Sequence, residues 1–245
     1  MNERENAVAV AGARAQGKDG EELLRVEQLN KSFGEGDEKI HVLRDLGLEL
    51  KTGRRLAVLG ESGVGKSTLL HVLGTLDRPT SGKIVYRGAD LATLDQRELS
   101  RIRNREIGFV FQFHYLLADF DALENVMIPA LVAGWAWDRA RGSAMELLDL
   151  VGLKDRMRHR PGKLSGGEQQ RVAVARSVVL EPHLVLADEP TGDLDPHTGE
   201  EIQNLLLRLN EEKRVALIVA THNHQLALRI GRRVELREGR LYPLA

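Results

Sequence analysis

The residues best suited to chemistry lie in a glycine-rich segment at positions 60–67. Its spacing is glycine, any four residues, glycine, lysine and serine, and backbone N–H groups in such a loop can approach phosphate oxygens closely. We predict that Lys66 bridges the β- and γ-phosphates of a nucleotide and that Ser67 ligates Mg²⁺. The residues predicted to contact the nucleotide here are Gly60, Glu61, Ser62, Gly63, Val64, Gly65, Lys66, Ser67 and Thr68.

By itself this loop indicates only an NTPase or a kinase, and the alternative is a glycine turn with an incidental Lys-Ser pair. The surrounding pattern favours a phosphate loop. A short apolar run at 55–59 predicts a strand before it, and 68–73 predicts a helix after it. Strand, loop and helix in this order give the helix start partial positive charge, which favours a bound phosphate.

A second candidate site lies at two adjacent acids, Asp188 and Glu189, which end the apolar run 184–187. Acids at the carboxyl end of a parallel strand face the ligand crevice of an α/β sheet. We predict that Asp188 holds Mg²⁺ through water and that Glu189 polarises the attacking water. The alternative is an acidic turn after a core strand, and the phosphate loop in the same chain favours the catalytic interpretation.

Two kinds of apolar pattern predict the strands that hold these motifs. Short runs rich in Val, Ile and Leu are typical of parallel strands buried on both faces. Looser alternation is typical of an antiparallel sheet, and it places Val42, Leu46, Leu48 and Leu50 on one face. The predicted parallel strands are 55–59, 107–111, 184–187 and 216–220, and the predicted antiparallel strands are 23–29, 42–50 and 83–87.

Helical periodicity fills the remaining segments. Between Phe113 and Lys163 the strand-like runs disappear, and 122–132 and 139–150 predict the helices of a lobe inserted into the core. Asp195 followed by proline predicts the cap and first residue of a later helix. We therefore expect an α/β fold with a mostly parallel sheet, an N-terminal antiparallel β subdomain and an inserted α-helical subdomain.

The composition narrows the function classes. The 245 residues include 35 Lys plus Arg and 36 Asp plus Glu, and a net charge of -1 gives no basic field, so we expect no nucleic-acid partner. The absence of cysteine excludes disulfides, thiolate catalysis and zinc–thiolate sites. No apolar run approaches the roughly 20 residues of a membrane span, so we expect no direct membrane insertion. Residues 1–22 predict a disordered leader.

A third motif, at 165–170, consists of serine, two glycines, glutamate and two glutamines. We predict that Ser165 and the bare backbone of Gly166 and Gly167 expose N–H groups at a helix start whose dipole favours a phosphate. The alternative is a plain serine-capped helix. Because one chain carries all three motifs in this order, it resembles the nucleotide-binding subunits of ABC transporters from about Leu24 to Ala245.

The resemblance implies roles for four further residues. Gln112 matches the Q-loop glutamine, Asp195 the D-loop, His222 the switch histidine and Phe33 the aromatic that stacks on adenine. Each also has a structural interpretation: a polar strand end, a helix cap, a loop histidine and a core aromatic. The implied catalytic residues are Glu189, His222, Gln112 and Lys66; the metal ligands are Ser67, Gln112 and Asp188; Phe33, Ser165, Gly166 and Gly167 join the nucleotide-binding set.

The family resemblance also implies an assembly. The fold would be a P-loop NTPase with a RecA-like core, binding ATP and Mg²⁺. Two copies would face head to tail, so that the phosphate loop of one copy and the signature (residues 165–167) of the other close on the same nucleotide. Residues 23–245 would form one nucleotide-binding domain, in which 23–111 and 168–245 make the β subdomain plus core and 112–167 make the helical subdomain.

Segments 74–82 and 111–126 closely resemble the lipoprotein-releasing, LolD-type subgroup. That implies a peripheral ATPase pair at the cytoplasmic face of the bacterial inner membrane, driving LolC/LolE-like permease subunits that pass lipoproteins toward a periplasmic carrier. A MacB-like exporter and an FtsE-like division regulator remain alternatives, and a soluble ABC ATPase acting on DNA or ribosomes is a more distant one.

The segment after Gln112 would touch the partner through Phe113, Tyr115, Leu117 and Phe120, unless these residues pack inside the lobe. A basic run between Lys154 and Lys163 predicts a solvated face, with lipid headgroups or the partner's loops as the alternative.

Overall fold

The computed structural model describes residues 20–244. Most of the predicted leader, residues 1–19, lies outside the described residues, and Glu22 already belongs to the first strand. The strands are β1 (Glu22–Phe33), β2 (Ile40–Lys51), β3 (Arg55–Leu59), β4 (Ser81–Tyr86), β5 (Ala89–Asp90), β6 (Ile107–Val110), β7 (Leu184–Asp188), β8 (Ala216–Ala220), β9 (Arg233–Arg237) and β10 (Arg240–Leu244). The helices are α1 (Lys66–Leu73), α2 (Gln96–Arg105), α3 (Ala122–Val132), α4 (Trp137–Leu150), α5 (Gly166–Val178), α6 (Pro196–Lys213) and α7 (His224–Ile230).

The predicted antiparallel sheet is present, with strand order β2-β1-β4-β5. Its β2 strand departs from the predicted alternation at one point. Leu46, Leu48 and Leu50 are buried as expected, but Leu43 takes the next buried position and Val42 is only half-buried. The assignment of Val42 to that face is wrong because a bulge at Asp45, with φ of +48°, adds a residue to β2 between its pairs with β1.

The main sheet has the order β10-β9-β3-β8-β7-β6, in which all pairs except β9–β10 are parallel. Alternate side chains of its parallel strands enter two cores. Ala57 and Val219 face the core shared with α3 to α6, whereas Val58 and Ile218 face the core shared with α1, α2 and the antiparallel sheet. Burial on both faces explains why these strands are nearly uninterrupted apolar runs, and it confirms the predicted α/β architecture.

The inserted lobe consists of α3 and α4, with α5 leading from the lobe back to the main sheet. The predicted helix 122–132 is α3, and α4 begins two residues before the predicted 139. Helix α5 runs unbroken across the predicted subdomain boundary at 167/168 and packs tightly on β6, where a Cβ at Gly108 would lie 2.2 Å from the Ser177 carbonyl oxygen. The signature therefore stands at one end of a helix whose other end is fixed to the sheet.

No helix within residues 20–244 combines the length and apolar character that crossing a bilayer requires.

Candidate nucleotide-binding site

The phosphate loop joins β3 to α1 in a conformation that requires glycine. Gly65 caps α1 with a φ of +111°, and a Cβ there would lie 2.7 Å from Val42 Cγ1. A Cβ at Gly60 would lie 2.7 Å from the carbonyl oxygen of Leu236. No side chain in the described part of the chain caps α1, so its first N–H groups point into the loop with the partial positive charge of a helix start.

Lys66 lies at the centre of this loop with its side chain almost fully buried. Its Nζ donates hydrogen bonds to the carbonyl oxygens of Gly60 at 2.8 Å and Glu61 at 3.0 Å. The same Nζ is 3.4 Å from Glu189 Oε1. One lysine thus links the phosphate loop to the acid that follows β7. The sequence analysis expected these two motifs to lie at the same crevice.

Asp188 ends β7 opposite Ser67. Burial raises the pKa of its carboxyl above the usual value, as does the neighbouring charge of Glu189, while a hydrogen bond from Ser67 and the charge of Lys66 lower it. Its Oδ1 is buried and has no hydrogen-bond partner among the described residues. A buried carboxylate oxygen of this kind is costly unless it is paired, and together with the Ser67 hydroxyl it fits a divalent cation such as Mg²⁺.

Glu189 is held by contacts on three sides. Its N–H donates to the carbonyl oxygen of Ala220 at 2.9 Å, and its φ is +43°, a value that non-glycine residues rarely adopt. Its Oε2 lies 3.0 Å from His222 Nδ1 and also accepts the His222 backbone N–H at 3.3 Å. The side chain is therefore fixed between the cation of Lys66 and the mostly exposed imidazole of His222.

Gln112 and Asp195 lie on two segments near this cluster: Gln112 follows β6, and Asp195 lies after Glu189, just before α6. Gln112 Nε2 donates to Asp193 Oδ1 at 3.0 Å, so the end of β6 is tied to the segment leading into α6. Asp195 caps α6 by accepting the N–H groups of His197 and Thr198, each at 3.1 Å. Hydrogen bonds from Thr198 lead the causes that lower the pKa of Asp195, which remains exposed.

Phe33 lies at the outer end of β1 and is 45% exposed, so the alternative that it is a core aromatic is wrong. Lys31 Nζ stands 4.7 Å from the centre of its ring. Phe33 pairs with Ile40 of β2, two residues before the Val42 that packs against Gly65. An exposed aromatic face is thus available at the same end of the antiparallel sheet as the phosphate loop.

The signature at the start of α5 is capped within the chain itself. Ser165 Oγ accepts the Glu168 N–H at 3.2 Å, and Glu168 Oε2 accepts the Ser165 N–H at 2.7 Å. This backbone hydrogen bond is the main cause that lowers the pKa of Glu168, with Arg156 adding to it. The capping box was readable from the serine–glutamate spacing, but the sequence prediction assigned no role to Glu168.

The surroundings of the signature differ from those of the phosphate loop. A Cβ at Gly167 would lie 2.2 Å from Thr198 Cγ2 of α6, whereas a Cβ at Gly166 would meet only Leu194 Cδ2 at an ordinary 3.7 Å. Gly167 is buried, and Ser165 and Gly166 are exposed. Gly166 thus presents open backbone at the protein surface, while Gly167 serves the packing of α5 on α6.

A segment after β6, residues 113–120, exposes apolar side chains although its backbone is held firmly. Asn125, fully buried on α3, accepts the Leu117 N–H at 2.8 Å and donates to the Leu117, Phe120 and Asp121 carbonyls. Arg176 of α5 donates to the carbonyls of His114 and Tyr115. The exposed apolar residues are Phe113, Tyr115, Leu117 and Phe120. They do not pack inside the lobe, so that alternative is wrong.

A cleft of about 230 Å³ opens beside this segment. It is lined by β6 and by residues of α2, α3 and α5, among them Asn104, Phe111, Pro129 and Arg176. Sequence reasoning missed this cleft because its lining comes from four separate elements. Its floor is apolar and its edge carries the partly buried guanidinium of Arg176, whose pKa is lowered by burial.

Gln170 connects the signature helix, the cleft and the segment that follows Glu189. It is buried in α5, and its Nε2 donates to the carbonyl oxygens of Phe111 at 3.3 Å and Pro190 at 2.8 Å. Phe111 lines the cleft, Pro190 follows Glu189, and Gln170 itself stands one turn after the signature. A shift of any one of these segments would therefore break or bend a buried hydrogen bond to the others.

The basic run between Lys154 and Lys163 is largely paired. Lys154, Arg156 and Arg158 lie within 4 Å of Asp149, Glu168 and Asp121 respectively. These contacts favour the interpretation of a solvated face.

Comparison with known proteins agrees with this geometry. The ABC transporter family matches residues 43–192. The lipoprotein-releasing system ATP-binding protein LolD of Syntrophus aciditrophicus is 51% identical over 91% of this chain and 100% of its own length. The LolD proteins of Geobacter metallireducens and Legionella pneumophila are 51% and 47% identical, over 89% and 90% of this chain and 97% of each relative.

Solved structures give the same family. A dimeric post-hydrolysis state of the ATP-binding cassette MJ0796, bound to ADP and Pi, superposes with a TM-score of 0.83 at 38% identity, covering 89% of this chain and 96% of that one. A second dimeric structure of MJ0796 gives 0.83 at 39% identity with the same coverage. The predicted P-loop NTPase fold is thereby confirmed. This chain belongs to the ABC transporter family and, within it, to the group of lipoprotein-releasing system ATP-binding proteins.

Proposed function

We propose that this chain is the ATP-hydrolysing subunit of an ABC transporter that releases lipoproteins from the inner membrane toward a periplasmic carrier. The observation that carries the ATPase assignment is the convergence of Lys66, Glu189 and His222 within 3.4 Å contacts at the mouth of the phosphate loop. The relatives named as lipoprotein-releasing proteins carry the choice of cargo.

ATP binding begins with the phosphates in the loop at 60–68. The uncapped N–H groups of α1 donate to phosphate oxygens, and Lys66 turns its ammonium from the carbonyls of Gly60 and Glu61 toward the β- and γ-phosphates. Phe33 supplies an exposed face for the adenine. These contacts orient the γ-phosphate toward Glu189.

Ser67 and Asp188 would hold Mg²⁺, with Gln112 at its edge. When bound, the metal ion would supply positive charge that neutralises the charge on the phosphate oxygens. Glu189 orients the attacking water and accepts its proton as the bond from the γ-phosphate to ADP breaks. His222 fixes the Glu189 carboxylate and faces the γ-phosphate, where negative charge develops. Transfer of the proton to Glu189 would also weaken the ion pair that this acid makes with Lys66.

The nucleotide is shared between two copies of the chain. The Ser165 hydroxyl and the open backbone N–H of Gly166 donate to the γ-phosphate bound by the other copy, and the Asp195 segment lies at the interface between the two copies. Dimeric MJ0796 structures support this arrangement. Because the γ-phosphate joins the two copies, its release after hydrolysis opens the interface.

Opening is transmitted to LolC/LolE-like permease subunits at the cytoplasmic face of the inner membrane. The exposed apolar residues at 113–120 and the adjoining cleft form the permease docking surface. Gln170, through the Phe111 carbonyl oxygen, and Arg176, through the Tyr115 carbonyl oxygen, tie that surface to the signature helix. In this scheme residues 23–245 act as one nucleotide-binding domain, and 112–167 is the subdomain that moves with the permease.

Purification of the chain with its membrane partner tests the function. We expect a permease with a large periplasmic domain, and ATP-dependent transfer of an acylated lipoprotein from the complex to a soluble carrier. Recovery of a partner that recruits cell-wall hydrolases would instead support an FtsE-like division function. Export of peptides or small molecules without lipoprotein transfer would replace it by a MacB-like one.

A further inference from the structure

Both tryptophans of the chain lie where α3 is followed by α4: Trp135 is in the connecting turn, and Trp137 is the first residue of α4. Trp137 is 56% exposed and the nearby Val132 is 72% exposed. Exposed apolar side chains that cluster at one place on a surface can mark an interaction site. We refer to residues 132–145, from Val132 to Met145, as the tryptophan turn.

The tryptophan turn is held in a fixed shape. Trp135 packs against the core of the lobe, and the guanidinium of Arg139 lies 3.7 Å from the centre of its ring. Arg105, at the end of α2, donates to the carbonyl oxygen of Ala133 at 2.7 Å. The turn that exposes Trp137 and Val132 is therefore already ordered, and it loses little conformational entropy when it meets a surface.

The exposed side chains of this region pair apolar with basic character. Trp137, Arg141 and Met145 follow the spacing i, i+4, i+8 and share one exposed face of α4. Arg139 of α4 is also exposed, as is Arg105 of α2, which bonds the carbonyl oxygen of Ala133. Within 132–145 the one acid is Asp138, against the two arginines Arg139 and Arg141, and Arg105 adds a third basic group beside them.

The tryptophan turn continues the surface proposed for permease docking. Pro129, one turn before Val132 on α3, lines the cleft, and so does Asn104, which precedes Arg105. Asn104 Nδ2 donates to the Pro129 carbonyl oxygen at 3.3 Å, which joins the two elements at the edge of the cleft. A permease seated in the cleft would bring the bilayer surface to this side of the molecule.

We propose that the tryptophan turn rests on the anionic lipid headgroups around the permease, an inference that depends on the proposed membrane-bound function. Tryptophan is favoured at the membrane–water interface, and arginine binds lipid phosphates while its charge is drawn to an anionic leaflet. Val132 and Trp137 enter the headgroup layer, and Arg105, Arg139 and Arg141 meet the phosphates. The contact is peripheral, and the tryptophan turn does not cross the bilayer.

The two tryptophans allow a direct test on the full-length chain without its permease. Vesicles of phosphatidylcholine are compared with vesicles of equal parts phosphatidylcholine and phosphatidylglycerol, by co-sedimentation and by tryptophan emission. We expect sedimentation and a blue-shifted emission only with the anionic vesicles, both reversed by high salt. No binding to the anionic vesicles, or equal binding to both kinds, would overturn the proposal.

Matched variants locate the contact. Val132→Ser/Trp137→Ser and Arg141→Glu should each weaken vesicle binding about tenfold. Leu228→Ser, at another exposed leucine on α7, and Arg240→Glu, on β10 at the opposite edge of the main sheet from β6, should leave it unchanged. Equal losses in variants and controls would contradict the assignment.

ATP hydrolysis by the isolated chain and recovery of the permease complex separate this proposal from the proposed function. Both should be unchanged in the Trp137 and Arg141 variants. If vesicle binding is absent and the same variants lose the permease, the turn contacts protein and the lipid proposal is wrong, while the transport function stands.

Discussion

Within residues 20–244, two helices begin in glycine-rich segments, and the backbone N–H groups at their starts are satisfied in different ways. At α1, Gly65 leaves the first N–H groups without a side-chain cap, and the loop gathers around Lys66 and Glu189. At α5, Ser165 and Glu168 cap each other, and the glycines are divided between packing and open surface. The first start needs a ligand to satisfy its backbone, whereas the second is stable alone and offers its surface outward.

This difference explains how one protomer can be folded before its catalytic site is complete. The phosphate loop carries Lys66 and lies beside the acids Asp188 and Glu189, so we expect it to bind a nucleotide by itself. The signature carries no titratable group aimed at a ligand, because the Glu168 carboxylate is occupied by the Ser165 N–H and Arg156. Its contribution is therefore expected only when another copy brings a phosphate to it.

The largest expected effect is at the first helix start. Lys66→Ala removes the buried ammonium that is to meet the phosphates, and we expect ATP affinity to fall at least about a hundredfold. Titration of the purified chain with a fluorescent ATP analogue measures it. Lys213→Ala, at an exposed lysine ending α6, is the control and should bind normally. Unchanged affinity in Lys66→Ala would remove this residue from the site.

Glu189→Gln separates binding from chemistry at the same start. The amide keeps the size of the side chain but cannot accept a proton, so turnover should fall by about 10²–10⁴-fold while ATP still binds. Because the γ-phosphate then persists, the dimer should accumulate in size-exclusion chromatography with ATP. Normal phosphate release by this variant would show that another group activates the water.

Gly166→Asp tests the outward role of the second start. A Cβ fits there at 3.7 Å from Leu194, so the fold and the ATP affinity of the single chain should be retained. The added carboxylate would repel the phosphate of the other copy, and ATPase activity should fall about tenfold or more. Gly162→Asp places the same charge four residues earlier in open space and serves as the control. Equal activities would contradict a partner-facing signature.

The smallest effect concerns the internal cap of α5. Glu168→Ala should cost about 1 kcal/mol of unfolding free energy, or roughly 2–4 °C in Tm. The pKa of Glu168 is lowered from 4.5 in the folded protein, so its stabilisation is present above that value and is lost as pH falls through the folded pKa. The Tm difference from the unaltered chain should therefore be full at pH 7 and shrink below about pH 4.5. A difference independent of pH would exclude the carboxylate cap.

Local patterns were enough to predict many elements of the fold. The strands 55–59 and 216–220 and the helix 122–132 have the predicted bounds because their apolar residues face a core directly. Helix α2 was not predicted, since its only buried residue is Leu99 and, apart from the partly buried Ile102, the rest is charged or polar. Its Asp95–Glu98 capping box was the one readable signal.

In the candidate site, too, local sequence patterns predicted some features and missed others. Motif spacing predicted that Lys66, Asp188 and Glu189 meet, because strand ends in a parallel sheet converge. The buried amides of Asn125 and Gln170 were not foreseen, since each bonds backbone carbonyls that are distant in the chain or in an irregular segment. Such contacts leave no periodic trace in a sequence, and neither did the cleft formed by four elements.

The most direct test of nucleotide sharing is a crystal or cryo-EM structure of Glu189→Gln bound to Mg²⁺ and ATP. We expect two copies head to tail, with Ser165 or Gly166 of one copy within hydrogen-bond distance, about 3.5 Å, of the γ-phosphate held by Lys66 of the other. A structure in which the nucleotide is fully bound while both signatures face solvent would contradict the shared site.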